Sequence, residues 1–143
     1  MKQLIALLFL VATLPALAAD SIDNKTMEKF RENFPHARKV KWYAEGDRTA
    51  VHFESGSVIT NIWYNAEGEV IKTRRYYGEQ DLAPYLKVKL SQKYPGKKIH
   101  GVTELSNANE LFYVVTLEDA NSWTQVRCET NGDMTRIQKL KKS

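Results

Sequence analysis

The sequence predicts an α+β protein: two helix-plus-four-strand repeats forming one antiparallel sheet, with the helices on one face. Three observations lead there. Phe34-Pro35 and Tyr94-Pro95 each close a helix-like run, and the prolines lie 60 residues apart. Gly68 and Gly132 each sit in a turn late in their half, 64 residues apart. Between each proline and the end of its half, alternating apolar segments are separated by turn residues. A small unit repeated with a few extra residues in its second copy accounts for all three. The units are assigned to residues 19–80 and 81–143.

Residues 1–18 read as a secretory signal. Lys2 precedes an apolar run from Leu4 to Leu14, Pro15 breaks it, and Ala16-Leu17-Ala18 supplies small residues for cleavage after Ala18. The run is shorter than the roughly 20 apolar residues a spanning helix needs. The remaining chain is then a periplasmic or secreted protein with no transmembrane segment. The lone cysteine, Cys128, excludes a lipid anchor at the cleavage point and an intramolecular disulfide. It reads as a small apolar core residue, the alternative being a free or intermolecular thiol. The formal charge of +4 falls by one when Lys2 leaves. That excess is too mild to imply nucleic acid, and export argues against that partner.

The first helix is expected from Ile22 to Asn33, with Asp20, Ser21 and Asp23 as caps. Met27, Phe30 and Phe34 fall on one helical face, and Pro35 stops the run. Val40 and Trp42 alternate with lysines, as on a half-buried strand. Thr49–Glu54 follows, with Val51 and Phe53 on one side and His52 on the other. Val58–Asn65 and Val70–Tyr76 complete the unit. The second helix opens at Asp81, a predicted N-cap, with Pro84 in its first turn and Leu82, Leu86 and Leu90 at four-residue spacing. Ile99–Glu104, Leu111–Leu117, Trp123–Glu129 and Met134–Leu140 are the matching strands. Ser106–Asn109 reads as a loop, and Lys139–Lys142 as a frayed end. Asn131-Gly132 is the strongest hairpin signal, because both residues accept positive φ.

Phe34-Pro35-x-Ala37, then Val40-x-Trp42, then Tyr64-Asn65-x-x-Gly68-x-Val70-Ile71, resembles the PepSY-like, or β-lactamase-inhibitor-protein-like (BLIP-like), secreted proteins of Gram-negative bacteria. Leu90-x-x-x-Tyr94-Pro95-Gly96 resembles the same unit again. The resemblance implies a tandem pair of helix-plus-four-strand units, a binding or inhibitory role outside the cytoplasm, and no catalytic residues. The second half departs from the pattern: Ile99-His100-Gly101 stands where the first has Val40-Lys41-Trp42, and Cys128 stands for Tyr64. Some packing or binding contacts of the first unit are then lost from the second.

No catalytic constellation is visible. His36, His52 and His100 form no HExxH pattern and no metal-ligand spacing with Cys128, and each reads as an incidental surface residue. There is no GxSxG element, phosphate loop or calcium loop. Asp119 and Asn121 read as a polar turn. Asn24-Lys25-Thr26 matches the glycosylation sequon by chance. No cofactor and no metal are expected, and the chain is read as a non-enzyme.

One amphipathic helix per unit covers one sheet face and leaves the other open. Aligning the third strands pairs Ile62 with Val126 and Tyr64 with Cys128 on the covered face. The alternation then puts Asn61, Trp63, Trp123, Gln125 and Arg127 on the open face, joined by Tyr43, His52, Phe112, Val114 and Thr116. Tyr, Trp and Arg are residue types that anchor interfaces. The candidate partner-binding set is Tyr43, His52, Asn61, Trp63, Phe112, Trp123, Gln125 and Arg127, and the partner a protein or peptide. The competing readings are aromatics filling gaps on a twisted sheet and a self-associating structural or envelope-stress component. Arg74-Arg75-Tyr76-Tyr77 is read as a charge-protected edge strand running into a linker, the alternative being a contact for an acidic partner.

Overall fold

The computed structural model describes residues 22–143. The predicted signal at 1–18 and the predicted caps Asp20 and Ser21 lie outside the described residues.

The chain runs α1 (Asn24–Asn33), β1 (Arg38–Glu45), β2 (Arg48–Ser55), β3 (Val58–Tyr64) and β4 (Val70–Tyr77). It continues through a 3-10 turn (Glu79–Asp81), α2 (Pro84–Lys93), β5 (Lys98–Asn107), β6 (Leu111–Glu118), β7 (Ser122–Glu129) and β8 (Met134–Lys141). The strands form one eight-stranded sheet in sequence order. Every neighbouring pair is antiparallel, so each connection within a half is a hairpin. Beside β4, β5 joins the two halves through six residue pairs, from Lys72↔Asn107 to Tyr77↔Val102.

Asp23 caps α1. Its carboxylate accepts the Thr26 backbone N–H at 3.0 Å and the Thr26 hydroxyl at 3.1 Å. These bonds hold the Asp23 carboxyl below its ordinary pKa. Because its hydroxyl is satisfied, Thr26 is buried with Phe30, one turn on. This corrects the expected face of Met27, Phe30 and Phe34. Phe34 has already left the helix and is 36% exposed, although its ring stands 4.9 Å from that of Phe53.

Asp81 is not the cap of α2. The chain first makes the 3-10 turn, and Ala83 is the N-cap, with Pro84 next to it. Asp81 accepts the Ser57 hydroxyl at 3.4 Å instead, at the β2–β3 turn. Leu82, Leu86 and Leu90 are all buried.

The helices cover one face. Phe30 of α1 packs with Val51, Phe53, Ile62, Tyr64 and Trp42. Leu82, Leu86 and Leu90 pack with Val102, Val115, Leu117, Val126 and Cys128. Full burial of each valine, leucine, isoleucine or phenylalanine among those strand residues is worth about 1.5–3 kcal/mol. The two cores fill equivalent register positions with different residues. Val51 pairs with Ile62 as Val115 pairs with Val126. Tyr64 pairs with Val70 as Cys128 pairs with Met134. Aromatic rings dominate the first core and aliphatic groups the second.

The register also corrects the comparison of first strands. Trp42 pairs with Val51, and Val102 pairs with Val115. Val102, not Gly101, therefore stands where Trp42 does, and it is fully buried. The second half is packed there by a smaller side chain. Cys128 is buried, and burial pushes its thiol up to about 11.

Three further expectations change. β4 pairs with both β3 and β5, so Arg74-Arg75-Tyr76-Tyr77 lies mid-sheet and not on an edge. Ser106 and Asn107 belong to β5, extending it beyond the predicted Glu104. Lys139–Lys141 pair with β7 up to Lys141↔Ser122, and the Lys142 N–H donates to the Asn121 carbonyl at 2.8 Å. Ladder hydrogen bonds, invisible to local composition, order that end. The edges are β1 and β8, and both carry lysine and arginine along their length.

Candidate functional site

The face away from the helices is built by the side chains of opposite parity. Directly paired residues of an antiparallel sheet point the same way, so the register traces the face strand by strand. One row runs Tyr43, Ala50, Trp63, Lys72 and Asn107. The next runs Lys41, His52, Asn61, Arg74, Leu105, Phe112 and Glu129. Beyond it lie Tyr76, Thr103, Val114 and Arg127, then Gly101, Thr116, Gln125 and Gln138. Glu118, Trp123 and Leu140 close the far end. All eight candidate residues therefore stand on the uncovered face. Tyr43 is exposed and the other seven are half-buried.

The structure brings some of them together. His52 Nδ1 and Asn61 Oδ1 lie 3.0 Å apart, a bond that requires the proton on Nδ1. The Arg127 guanidinium sits over the Phe112 ring, 3.6 Å from its centroid. Gln138 donates to Gln125 at 2.6 Å. Trp123 meets the His100 ring edge-on, with centroids 4.7 Å apart, while Lys142 Nζ stands over it at 4.5 Å. Lys72 Nζ stands 4.2 Å from the Trp63 centroid, and the Arg74 guanidinium carbon 5.7 Å.

It does not bring the two tryptophans together. Trp63 lies in the first of these rows on β3, and Trp123 in the last on β7. Ordinary strand spacings place them roughly 30 Å apart across a diagonal of the face.

The two halves of the face differ in electrostatics. In the second half Arg127 and Lys142 each have a carboxylate. Arg127 reaches Glu110 at 3.0 Å and also pairs with Glu129, which raises its pKa. Lys142 and His100 share Glu118, whose carboxyl they hold below its ordinary value. In the first half, Lys41, Lys72 and Arg74 are exposed and form no ion pair among the described residues.

Sequence reasoning missed a polar cluster on the helix side of the central strands. Arg75 donates to Glu104 at 3.1 and 3.3 Å, and the Tyr77 hydroxyl donates to the same carboxylate at 2.8 Å. Burial first, then the Glu104 carboxylate, pushes the Tyr77 hydroxyl pKa well above its ordinary value. These partners are 27 and 29 residues apart, and no local pattern signals the contact. The Arg74–Tyr77 run thus divides, with Arg74 and Tyr76 on the open face and Arg75 and Tyr77 on the helix side, where Tyr77 is buried and Arg75 half-exposed. Among the described residues no three His, Cys, Asp or Glu side chains come together in a metal-binding group. No helix there is long and apolar enough to cross a membrane.

Comparison with solved structures locates this architecture. A BLIP-like protein from Bacteroides fragilis superposes with a TM-score of 0.63 at 16% identity, over 85% of this chain and 88% of that one. The fold is BLIP-like. A DUF2874 family protein from Bacteroides uniformis gives a TM-score of 0.61 at 13% identity, covering 85% and 90% of the two chains. A candidate periplasmic protein from Bacteroides eggerthii gives 0.61 at 10% identity, covering 85% and 89%. No family model and no curated protein sequence matches the chain. At these identities the BLIP-like likeness is one of architecture.

Proposed function

We propose that this chain is an exported, non-enzymatic binding module that holds a protein or peptide on its open sheet face. One observation carries the proposal: the helices bury one side of the sheet, and the other side presents Tyr43, Trp63, Phe112, Trp123 and Arg127 to solvent or half-exposed. Aromatic and arginine side chains bury much area at modest entropic cost. The mechanism is steric occlusion of the partner by a preformed surface, and an enzyme such as a hydrolase is a partner such occlusion would inhibit. The same proposal takes residues 1–18 as the export signal, cleaved after Ala18, and residues 19–80 and 81–143 as two copies of one PepSY-like unit. The BLIP-like fold and the candidate periplasmic neighbour support it. The alternative is a structural or envelope-stress component that self-associates through sheet edges or through the same aromatic face; the cations along β1 and β8 disfavour the edge route.

A standard interface covers about 800 Å² per partner, a patch roughly 30 Å across. Trp63 and Trp123 therefore both belong to it only if it spans the whole diagonal. The test is a pull-down from envelope and culture-medium fractions with the parent, Trp63→Ala, Trp123→Ala and the double variant. Far-UV circular dichroism checks that each is folded. A partner held by the parent and lost from the folded double variant is the expected result, and the single variants locate the contact. A partner held equally by all four would place binding on another surface.

A further inference from the structure

Lys41, Lys72 and Arg74, cations without carboxylates on the first half of the face, call for a reason. Lys72 and Arg74 are on β4, the fourth of eight strands, so protection of a sheet edge does not explain them. They are neighbours on one face, about 7 Å apart along the strand, where like charges repel. Their cross-strand neighbours are Trp63 and Asn61 on one side and Asn107 and Leu105 on the other, none of them acidic. Lys41 continues the same row beyond His52. In the second half of the same face Arg127 and Lys142 are paired with carboxylates.

We infer that the Trp63–Lys72–Arg74 patch is the part of the binding face that receives an acidic polypeptide segment, with Lys72 and Arg74 pairing to its carboxylates. The inference deepens the binding-module reading and rests on it. Charge complementarity sets the partner's sign: the patch carries uncompensated positive charge and a desolvating aromatic surface beneath it. The Trp63 ring positions both cations by holding them against the sheet. A lipid surface fits less well. The Trp63 indole is half-buried beneath Lys72 and does not stand out from the sheet to enter a bilayer.

The test measures binding of a fluorescently labelled peptide of alternating Glu and Ala at low and physiological salt. A Lys-Ala peptide, polygalacturonate and phosphatidylglycerol vesicles run beside it. The proteins are the parent, Lys72→Glu/Arg74→Glu, and Lys139→Glu/Lys141→Glu, which carries the same charge change on the β8 edge. The expected result is salt-sensitive binding of the Glu-Ala peptide alone, weakened about tenfold or more by the β4 pair and less than about threefold by the β8 pair. Equal weakening by both variants would reduce the effect to net charge and overturn the inference. So would absent peptide binding, or preference for polygalacturonate or vesicles. A pull-down partner lost from Trp63→Ala/Trp123→Ala yet retained by Lys72→Glu/Arg74→Glu would overturn the acidic-segment inference and leave the binding module standing.

Discussion

Replacing Gly68 by alanine strikes the joint between a hairpin and a helix. Gly68 closes the β3–β4 turn at φ +76°, and its N–H donates to the Asn65 carbonyl at 3.0 Å. A Cβ there would stand 2.5 Å from the Thr26 hydroxyl oxygen of α1. Two costs follow. The left-handed backbone costs a non-glycine residue about 1–2 kcal/mol. Overpacking against a buried side chain adds about 1–3 kcal/mol. Gly46, at φ +65° in the β1–β2 turn, has nothing within 4 Å of its Cβ position. Gly46→Ala should therefore show only the first cost, and Gly68→Ala the sum, about 2–5 kcal/mol. Thr26→Ala removes the obstructing oxygen and its bond to Asp23, at about 1 kcal/mol on its own. In the double variant Gly68→Ala should cost about 1–3 kcal/mol less than in the parent. Urea unfolding followed by tryptophan fluorescence reads the parent and all four variants; with a slope of about 1–3 kcal/mol per molar urea the differences are well resolved. Gly68→Ala no more costly than Gly46→Ala, or additive with Thr26→Ala within about 0.5 kcal/mol, would refute the steric reasoning.

Two further predictions concern ionisable groups. Cys128, buried and with its thiol at about 11, should resist thiol reagents at pH 8 in the native state and react fully in urea; fast native labelling would mean the second core opens. Asp119 is held below its ordinary 3.8 by Lys97 first, then by the N–H of Asn121 and the Ser122 hydroxyl and N–H. A depressed folded pKa contributes stability that is present above the ordinary value and lost as pH falls below it. Asp119→Asn should thus be less stable than the parent at pH 7, and the urea midpoints should converge below pH 3.8; a constant gap would remove Asp119 from the acid response.

The face assignment was legible because a strand's side chains alternate with period two. Ile62 and Tyr64 had to go one way once Trp63 went the other, and Val126 and Cys128 followed the same rule. Boundaries were less legible. Asp81 has cap chemistry, but a 3-10 turn intervened and gave its carboxylate to Ser57. The mid-sheet place of Arg74–Tyr77 was invisible for a different reason. Whether a strand is central depends on a pairing partner some 30 residues on, and β5 supplied it.

The sequence by itself determined the kinds of elements, their order, and which side chains share a face, because turn chemistry and hydrophobic period act over a few residues. Only the tertiary structure decided that β4 joins the halves, that Val102 stands in for Trp42, and that Trp63 and Trp123 lie at opposite corners. It also decided which cations find carboxylates. Arg127 and Lys142 do, while Lys72 and Arg74 stack on Trp63 without one. Those outcomes follow from strand register and long-range pairing, where one charge meets another across the sheet and not along the chain.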